Sequence, residues 1–106
     1  MTAVKSKQAA GWVYIAECAD GSYYTGATKD PKRRESDHNK GIGARYTRSR
    51  RPVKIVFKHR CKSLAKAMSA EAKIKKLSRA RKEALVGKRI KLTDLIPSIA
   101  KKSRSK

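Results

Sequence analysis

The feature that most constrains the fold is a pair of short strands within residues 12–28, joined by a tight turn and followed at once by a helix start. Residues 12–16 and 23–25 are rich in β-branched and aromatic side chains, and Asp20-Gly21 between them is a strong hairpin signal. Asp30-Pro31 then matches a helix start, because Asp caps free backbone N–H groups and Pro at the next position loses no hydrogen bond. The sequence therefore predicts a β-hairpin that leads directly into a helix.

The length of the hairpin loop decides which side chains share a face, because strand side chains alternate between faces. A two-residue turn would pair Tyr24 with Glu17 and set Tyr24 on the face opposite Tyr14. A three-residue loop that ends in a left-handed Gly21 would pair Tyr24 with Ala16. We expect the three-residue loop, which places both tyrosines diagonally on one face.

The rest of the chain supplies one more strand and further helices. Residues 53–58 are rich in strand-forming side chains and predict a strand that joins the hairpin's sheet. Ser63 and Ser78 are expected to cap two later helices. Gly41 and Gly87 are expected to end the first and the last helix. The predicted fold class is α+β, a three-stranded antiparallel sheet flanked by helices.

The 106 residues predict one folded domain with two basic ends. We place a basic, flexible N-terminal arm at residues 1–10, the folded domain at 11–87 and a basic C-terminal extension at 88–106. Within that extension, residues 93–97 are expected to form a short docked turn, and the last six residues to be disordered.

The charge of the chain predicts a polyanionic partner. The 29 Lys and Arg residues exceed the 8 Asp and Glu residues, which gives a net charge of +21. No stretch approaches the roughly 18 apolar residues of a membrane-spanning helix, and no signal-peptide core follows the start. We therefore expect DNA as the partner, with RNA as an alternative, and no membrane. The oligomeric state is not predicted.

The cysteines and one histidine are expected to be structural. Cys18 and Cys61 have neither the spacing of a zinc site nor the number for a disulfide scaffold, so we expect small core residues in a reducing compartment. His59 is expected at the surface or rim of the domain. The expected location is the cytoplasm, with association to the nucleoid if the source is bacterial.

A short basic segment, residues 45–51, carries more positive charge than solubility requires. Guanidinium groups make bidentate contacts with phosphate, and a tyrosine can stack on an unpaired base. The alternative is a basic loop that only adds solubility. The predicted nucleic-acid-binding residues are Arg33, Arg45, Tyr46, Arg48, Arg50 and Arg51.

One acid lies among apolar residues of the helix that follows Ser63. Helical spacing places the following residues on one stripe: Leu64, Ala67, Met68, Glu71 and Ile74. Burying an unpaired carboxylate costs several kcal/mol, so Glu71 needs a cation. The partner is either a basic side chain such as Arg34 or a divalent metal ion.

In the first predicted helix, Arg34 and His38 lie four residues apart and share a face. The group formed with the two tyrosines resembles the site of the GIY-YIG nucleases. The family triplets would be Trp12-Val13-Tyr14 and Tyr24-Thr25-Gly26, with Gly26 as a structural motif residue. The resemblance covers about residues 11–87 and is closest to the small stand-alone bacterial members.

The match has departures. Trp12 stands where the first motif has Gly, and Thr25 where the second has Ile. No asparagine lies in the last predicted helix, where several relatives carry one, so that contact is not expected here.

The resemblance implies a metal-dependent endonuclease that hydrolyses DNA phosphodiester bonds, with branched, nicked or damaged DNA as substrate and DNA repair as the setting. Glu71 would hold one Mg²⁺ or Mn²⁺, and no small-molecule cofactor is expected. Arg34 would clamp the scissile phosphate. Either Tyr14 or His38 would activate the water, and Tyr24 would orient the water or Tyr14. The alternative function is a non-catalytic nucleic-acid-binding module with the same fold and basic surface.

Overall fold

The computed structural model of the chain describes residues 10–96. The predictions for the N-terminal arm up to residue 9 and for the tail from residue 97 lie outside the described residues. Within the described part of the chain, no helix is long and apolar enough to cross a membrane. The elements are β1 (Gly11–Glu17), β2 (Tyr23–Thr28), α1 (Pro31–Lys40), α2 (Arg45–Arg48), β3 (Lys54–Cys61), α3 (Leu64–Lys75), α4 (Arg79–Val86) and α5 (Leu92–Leu95).

The three strands form one antiparallel sheet in the order β2-β1-β3, flanked by helices. This confirms the predicted α+β class. The register between β1 and β3 shifts once, because Ile15 pairs with Phe57 whereas Ala16 pairs with Ile55. Val56 is therefore an extra residue in β3, the arrangement of a β-bulge.

The hairpin has the predicted three-residue loop. Tyr24 pairs with Ala16, and Gly21 adopts a left-handed conformation with φ of 85°. The Gly21 N–H donates to the Cys18 carbonyl at 2.9 Å, which closes the loop. Tyr14 therefore lies beside Tyr24, with 6.3 Å between the ring centroids.

The predicted helix ends are confirmed. Asp30, Ser63 and Ser78 each accept a hydrogen bond from the backbone N–H three residues later, at 3.1, 3.1 and 3.2 Å respectively. Gly41 ends α1 in a left-handed conformation with φ of 83°, and Gly87 ends α4. Local sequence signals thus set the helix boundaries around the sheet.

One face of the sheet carries the larger, apolar core. Val13 and Ile15 pack there against helices α3, α4 and α5. The fully or nearly buried members of this core are Val13, Ile15, Cys61, Ala67, Ala70, Ile74, Leu85, Leu92 and Ile96. Because Leu92 and Ile96 belong to the core, the packed domain extends past the predicted limit at residue 87. The turn expected at residues 93–97 is the short helix α5, as far as residue 96 is described.

The prediction of the buried stripe of α3 was wrong at one position. Ala67, Ala70 and Ile74 are buried, whereas Met68 is 55% exposed. The helix is turned so that small alanines face the sheet. At the start of the helix, Gly11 permits a close approach of the two backbones, because a Cβ added there would lie 2.5 Å from the Leu64 Cα. Glu71 consequently lies at the rim of the buried face.

The opposite face carries a smaller core that includes the first site tyrosine. It consists of Tyr14, Ala16, Cys18 and Val53, with Tyr24 and Ile55 packed against it. Cys18 and Cys61 are buried free thiols, one in each core, which confirms their expected placement. His59 is half-buried in β3, consistent with the predicted rim position.

Candidate active site

A buried chain of hydrogen bonds connects the first strand to helices α1 and α2. The Tyr14 hydroxyl lies 2.8 Å from His38 Nε2, and His38 Nδ1 lies 2.8 Å from Thr47 Oγ1. All three side chains are fully buried. A buried polar group without a partner is costly, so this chain fixes the orientation of the phenol and the imidazole.

The hydrogen bonds of Thr47 assign the proton on the imidazole. Its hydroxyl donates to the Ala44 carbonyl at 2.9 Å, so Oγ1 is left to accept from His38 Nδ1–H. His38 Nε2 is then the acceptor of the Tyr14 hydroxyl proton. The Ala44 N–H also points towards Nδ1, but at 3.5 Å it is too far away to favour the other tautomer.

Arg34 lies beside this chain and acts on its ionisation. Burial raises the pKa of Tyr14 to about 12, and the adjacent Arg34 guanidinium opposes that rise. Its contact with the Tyr14 hydroxyl raises the pKa of Arg34. Burial and, second, the Arg34 charge lower the pKa of His38. At neutral pH the site therefore combines a protonated phenol, a neutral imidazole and a cation.

Tyr24 connects the buried chain to the surface. Its ring contacts His38 edge-on, with 5.4 Å between centroids, and stacks on Tyr46 at 6.0 Å. Tyr46 is 39% exposed and also contacts the Arg50 guanidinium, which lies 3.9 Å from the ring centroid. Tyr46 thus already has two protein partners, which leaves less of its ring for the predicted stacking on a base.

The structure therefore brings together all four residues predicted to be catalytic, namely Tyr14, Tyr24, Arg34 and His38. Sequence reasoning missed two positions that hold them. Thr47 orients His38, and Gly43 lies so close to the imidazole that an added Cβ would overlap Nδ1. Gly41 ends α1 as predicted, and Gly43 makes this close contact with His38.

Gly26 has a direct role in the position of the phenol. A Cβ at this position would lie 2.5 Å from the Tyr14 hydroxyl oxygen and 2.7 Å from Cζ of the ring. The Tyr14 ring therefore lies across the backbone of its neighbour on β2, where any larger side chain would displace it. This contact explains the glycine predicted as a motif residue.

Glu71, the predicted metal ligand, pairs with a lysine on its own helix. Its Oε2 lies 2.8 Å from Lys75 Nζ, and the Glu71 side chain is 20% exposed. The cation partner is thus Lys75, whereas Arg34 lies beside Tyr14. Lys75 also lines the cavity beside Tyr24, so this ion pair lies at the edge of the candidate site.

Glu71 could hold only a metal ion that takes few of its ligands from the protein. Within residues 10–96 there is no group of three or more His, Cys, Asp or Glu side chains that could hold a metal ion. Mg²⁺ is commonly held by one or two carboxylates, with waters and substrate phosphates as the other ligands. A single carboxylate that is 20% exposed fits that mode of binding, whereas the described residues form no cage of protein ligands alone.

The predicted nucleic-acid-binding residues divide into two groups. Arg33, Arg45 and Arg48 are exposed. Arg50, which is half-buried, pairs with Asp20 at 3.1 Å, and Arg51, although exposed, donates to the Arg48 carbonyl at 2.9 Å. The predicted loop contains the short helix α2, and Arg50 and Arg51 help to fold the chain around it.

Two cavities lie on opposite edges of the sheet. The one next to the site, of about 230 Å³, is lined by Tyr23, Tyr24, Thr25, Tyr46, Lys75 and Lys82. The larger one, of about 810 Å³, runs along β3, and among the described residues that line it none is a predicted catalytic residue. The smaller cavity, at the β2 edge of the sheet, is therefore the one that Tyr24 of the candidate site lines.

The fold and this site define a small α+β domain with a tyrosine, histidine and arginine constellation. The GIY-YIG catalytic domain family matches residues 10–84. A UPF0213 protein of Halobacterium salinarum is 53% identical over 73 residues, which cover 69% of this chain and 95% of that protein. The chain belongs to the GIY-YIG catalytic domain family, which confirms the resemblance found in the sequence. The domain is of the nuclease type, which implies nucleic acid as its class of substrate.

Related structures have also been solved. The solution NMR structure of the UPF0213 protein BH0048 from Bacillus halodurans is 47% identical and covers 74% of this chain and 83% of its own, with a TM-score of 0.47. The solution NMR structure of the protein EF2693 from E. faecalis is 31% identical and covers 92% of this chain and 93% of its own, with a TM-score of 0.49. The names of these relatives state no substrate.

Proposed function

We propose that this protein is a metal-dependent endonuclease that hydrolyses DNA phosphodiester bonds at the site formed by Tyr14, Arg34, His38 and Glu71. The observation that carries the proposal is the Tyr14 hydroxyl, which lies 2.8 Å from His38 Nε2 and beside the Arg34 guanidinium. A phenol held between a proton acceptor and a cation is suited to proton transfer next to a phosphate.

Hydrolysis requires a base that removes a proton from the attacking water. His38 has both ring nitrogens engaged in hydrogen bonds with Tyr14 and Thr47, so neither nitrogen is free to accept a proton from water directly, whereas the Tyr14 oxygen keeps acceptor lone pairs. Tyr14 therefore takes the water proton, while its own hydroxyl proton passes to His38 Nε2. The lowered pKa of His38 keeps the imidazole neutral and able to accept this proton at pH 7.

Arg34 has two tasks in this proposal. Its charge stabilises negative charge that develops on the Tyr14 oxygen during proton transfer, in line with its effect on the pKa of Tyr14. It also binds the scissile phosphate, where a fixed cation stabilises the extra charge of the pentavalent transition state. Arg34 is half-buried, so it reaches both the phenol and the surface.

Glu71 would hold one divalent cation, Mg²⁺ or Mn²⁺, with waters and a phosphate oxygen as its other ligands. When bound, such an ion acts as a Lewis acid on the phosphate and on the leaving oxygen. The role is supported by the partial exposure of the Glu71 carboxylate, which is 20%, and by its pair with Lys75 at the cavity beside Tyr24.

The exposed arginines support a nucleic acid as the polymer. Arg33 precedes Arg34 on α1, and Arg45 and Arg48 lie on α2, next to the Tyr46 that contacts Tyr24. Phosphate contacts position a nucleic acid without reading its sequence, so this surface suits substrates defined by structure, such as branched, nicked or damaged DNA. A protein of this kind would work in DNA repair, in the cytoplasm and at the nucleoid of a bacterium.

The test is cleavage of single-stranded, nicked and branched DNA with Mg²⁺ or Mn²⁺, and with EDTA as a control. We expect the native chain to cut at least one of these substrates, and Arg34→Ala and Glu71→Ala to lose cleavage while they remain folded and still bind DNA. If both variants cut as well as the native chain, the assigned site is wrong.

A non-catalytic nucleic-acid-binding module is the second candidate. It is favoured by the complete burial of Tyr14 and His38, since a catalytic phenol must reach water at some stage. DNA binding that falls with salt, by about 0.9 in log affinity per log unit for each phosphate neutralised, is common to both functions. Binding without cleavage of any of the substrates under either metal would establish this second function.

A further inference from the structure

Lys75 stands between the proposed metal ligand and the cavity next to the site. Its ammonium lies 2.8 Å from Glu71 Oε2, and the same side chain lines the cavity of about 230 Å³ beside Tyr24. The proposed mechanism assigns Lys75 no role. The Lys75 ammonium is thus within reach of two possible partners, the Glu71 carboxylate and an anion bound in the cavity.

We propose that Lys75 alternates between two partners: it pairs with Glu71 when no divalent cation is bound, and it binds a substrate phosphate in the cavity when a cation occupies the Glu71 carboxylate. This inference rests on the proposed function, because it takes Glu71 as the metal ligand. It adds a phosphate-binding residue and a coupling between metal and substrate.

The first step is competition for one carboxylate. A metal ion bound to Glu71 would face the Lys75 ammonium across a few ångströms, and the two positive charges repel each other. The pair is readily broken, since Lys75 is 53% exposed and accessible ion pairs contribute little to stability. Lys75 is therefore a replaceable cation that neutralises Glu71 until a metal ion arrives.

The second step is the capture of an anion in the cavity. Lys75 and Lys82 contribute two ammonium groups to its walls, and no acid is among the described residues that line it. The lining also includes three tyrosines and Thr25, whose side chains carry hydroxyl groups of the kind that donate hydrogen bonds to phosphate oxygens. Once Lys75 leaves Glu71, this cavity is a basic site next to Tyr24, suited to a phosphate group that neighbours the scissile one.

The two steps make the metal ion and the DNA cooperate. Without DNA, Lys75 opposes metal binding, and without metal, Glu71 holds Lys75 away from the phosphate. By thermodynamic linkage, whatever factor the metal adds to the DNA affinity, the DNA adds to the metal affinity. Replacing Lys75 with a neutral side chain removes both effects at once.

The test compares Mn²⁺ affinities of the full-length protein without DNA, measured by the EPR signal of free Mn²⁺. Lys75→Gln is expected to lower the Kd for Mn²⁺ by roughly five-fold or more, the lower end of common coupling factors. Lys73→Gln is the matched control. Lys73 is exposed on the same helix as Lys75, and its replacement changes the net charge by the same amount. Equal Kd values for these two variants would overturn the proposal.

Glu71→Gln separates this inference from the proposed function. If Glu71→Gln binds Mn²⁺ as well as the native chain, Glu71 is not the metal ligand, and both fail together. If Glu71→Gln loses Mn²⁺ whereas Lys75→Gln and Lys73→Gln bind it equally, the metal site stands and only the role of Lys75 is rejected.

A second measurement tests the cavity. The affinity for a fluorescent DNA is measured with EDTA and with Ca²⁺, an ion that also takes oxygen ligands. Ca²⁺ is expected to strengthen DNA binding of the native chain and of Lys73→Gln more than that of Lys75→Gln. An equal gain in all three proteins would contradict the transfer of Lys75 to a phosphate.

Discussion

The two faces of the sheet are packed by different means, although both belong to the same three strands. One face is covered by α3, α4 and α5 with apolar side chains such as Ile74 and Leu85, both fully buried. The other face meets α1 through Tyr14 and His38, which are equally buried but joined by a hydrogen bond. The first face tolerates any side chain of suitable volume, whereas the second depends on particular donors and acceptors.

Within about 90 described residues, one face of the sheet is thus built mainly for stability and the other carries the candidate active site. The apolar face buries most of the hydrophobic surface. The polar face buries less of it and instead contains a phenol, an imidazole and a nearby guanidinium. Substitutions on the two faces should therefore have distinct effects, and the following predictions begin with the largest.

Leu85→Ala should give the largest loss of stability. Leu85 is fully buried in the apolar core, and truncation of such a residue costs about 2–5 kcal/mol through lost contacts and the cavity that remains. Urea denaturation measures this change. The kcat for DNA cleavage by the folded fraction should be unchanged, since Leu85 lies in the core on the other face of the sheet. A large fall in kcat at full folding would show that the two faces are coupled.

Arg34→Ala should have the opposite profile. We expect kcat to fall about 10²–10³-fold, the usual loss when one fixed donor to a transition-state charge is removed. The midpoint of urea denaturation should change little, because Arg34 is only half-buried. Lys32→Ala is the control, since Lys32 is an exposed cation on the same helix with no assigned role. Similar kinetics for both variants would remove Arg34 from the site.

The contrast between the faces also explains what could be predicted from the sequence. The hairpin register and the helix ends depend on local signals, such as Gly21 and Asp30-Pro31, and these were correct. The apolar stripe of α3 was correct at Ala67 and Ile74 and wrong at Met68, since periodicity alone does not fix the rotation of a helix on a sheet.

The support of the polar face could not be predicted in the same way. Thr47 and Gly43 contact His38 across a turn of the chain, and neither residue type announces such a contact in the sequence. Arg50 and Arg51 were assigned to nucleic acid by charge alone, yet both make contacts within the protein. A charge pattern indicates which class of ligand a surface attracts. It does not show which basic side chains would bind that ligand and which ones make contacts that hold the loop in place.

Gly26→Ala should affect the polar face at smaller cost. The added Cβ would lie 2.5 Å from the Tyr14 hydroxyl oxygen, so the phenol must move, and such overpacking costs about 1–3 kcal/mol. Cleavage should fall as well, because the hydroxyl leaves His38 Nε2. Gly21→Ala is the control: its φ of 85° is strained for alanine, at about 1–2 kcal/mol, but an added Cβ there meets no described atom within 4 Å. Stability should fall in both variants and activity only in Gly26→Ala.

The smallest effect concerns the two histidines, one on each face. Burial lowers the pKa of His38 and of His59 below the ordinary histidine value of 6.5. Each is therefore less readily protonated in the folded protein than in the unfolded chain. Below pH 6.5 the unfolded chain therefore binds more protons, and the free energy of unfolding falls as pH falls. His38→Gln and His59→Gln should each flatten this decline, measured by urea denaturation from pH 7.5 to pH 5.

Cleavage kinetics distinguish the two faces in that experiment. His38→Gln should lower kcat, because glutamine cannot take the proton of Tyr14, whereas His59→Gln should leave kcat unchanged, since His59 pairs with Val13 on the apolar face. Both histidines therefore lower the free energy of unfolding in acid. Only His38, which contacts the Tyr14 hydroxyl, is expected to change kcat when it is replaced. Equal kcat values for the native chain and His38→Gln would contradict the proton transfer from Tyr14 to His38.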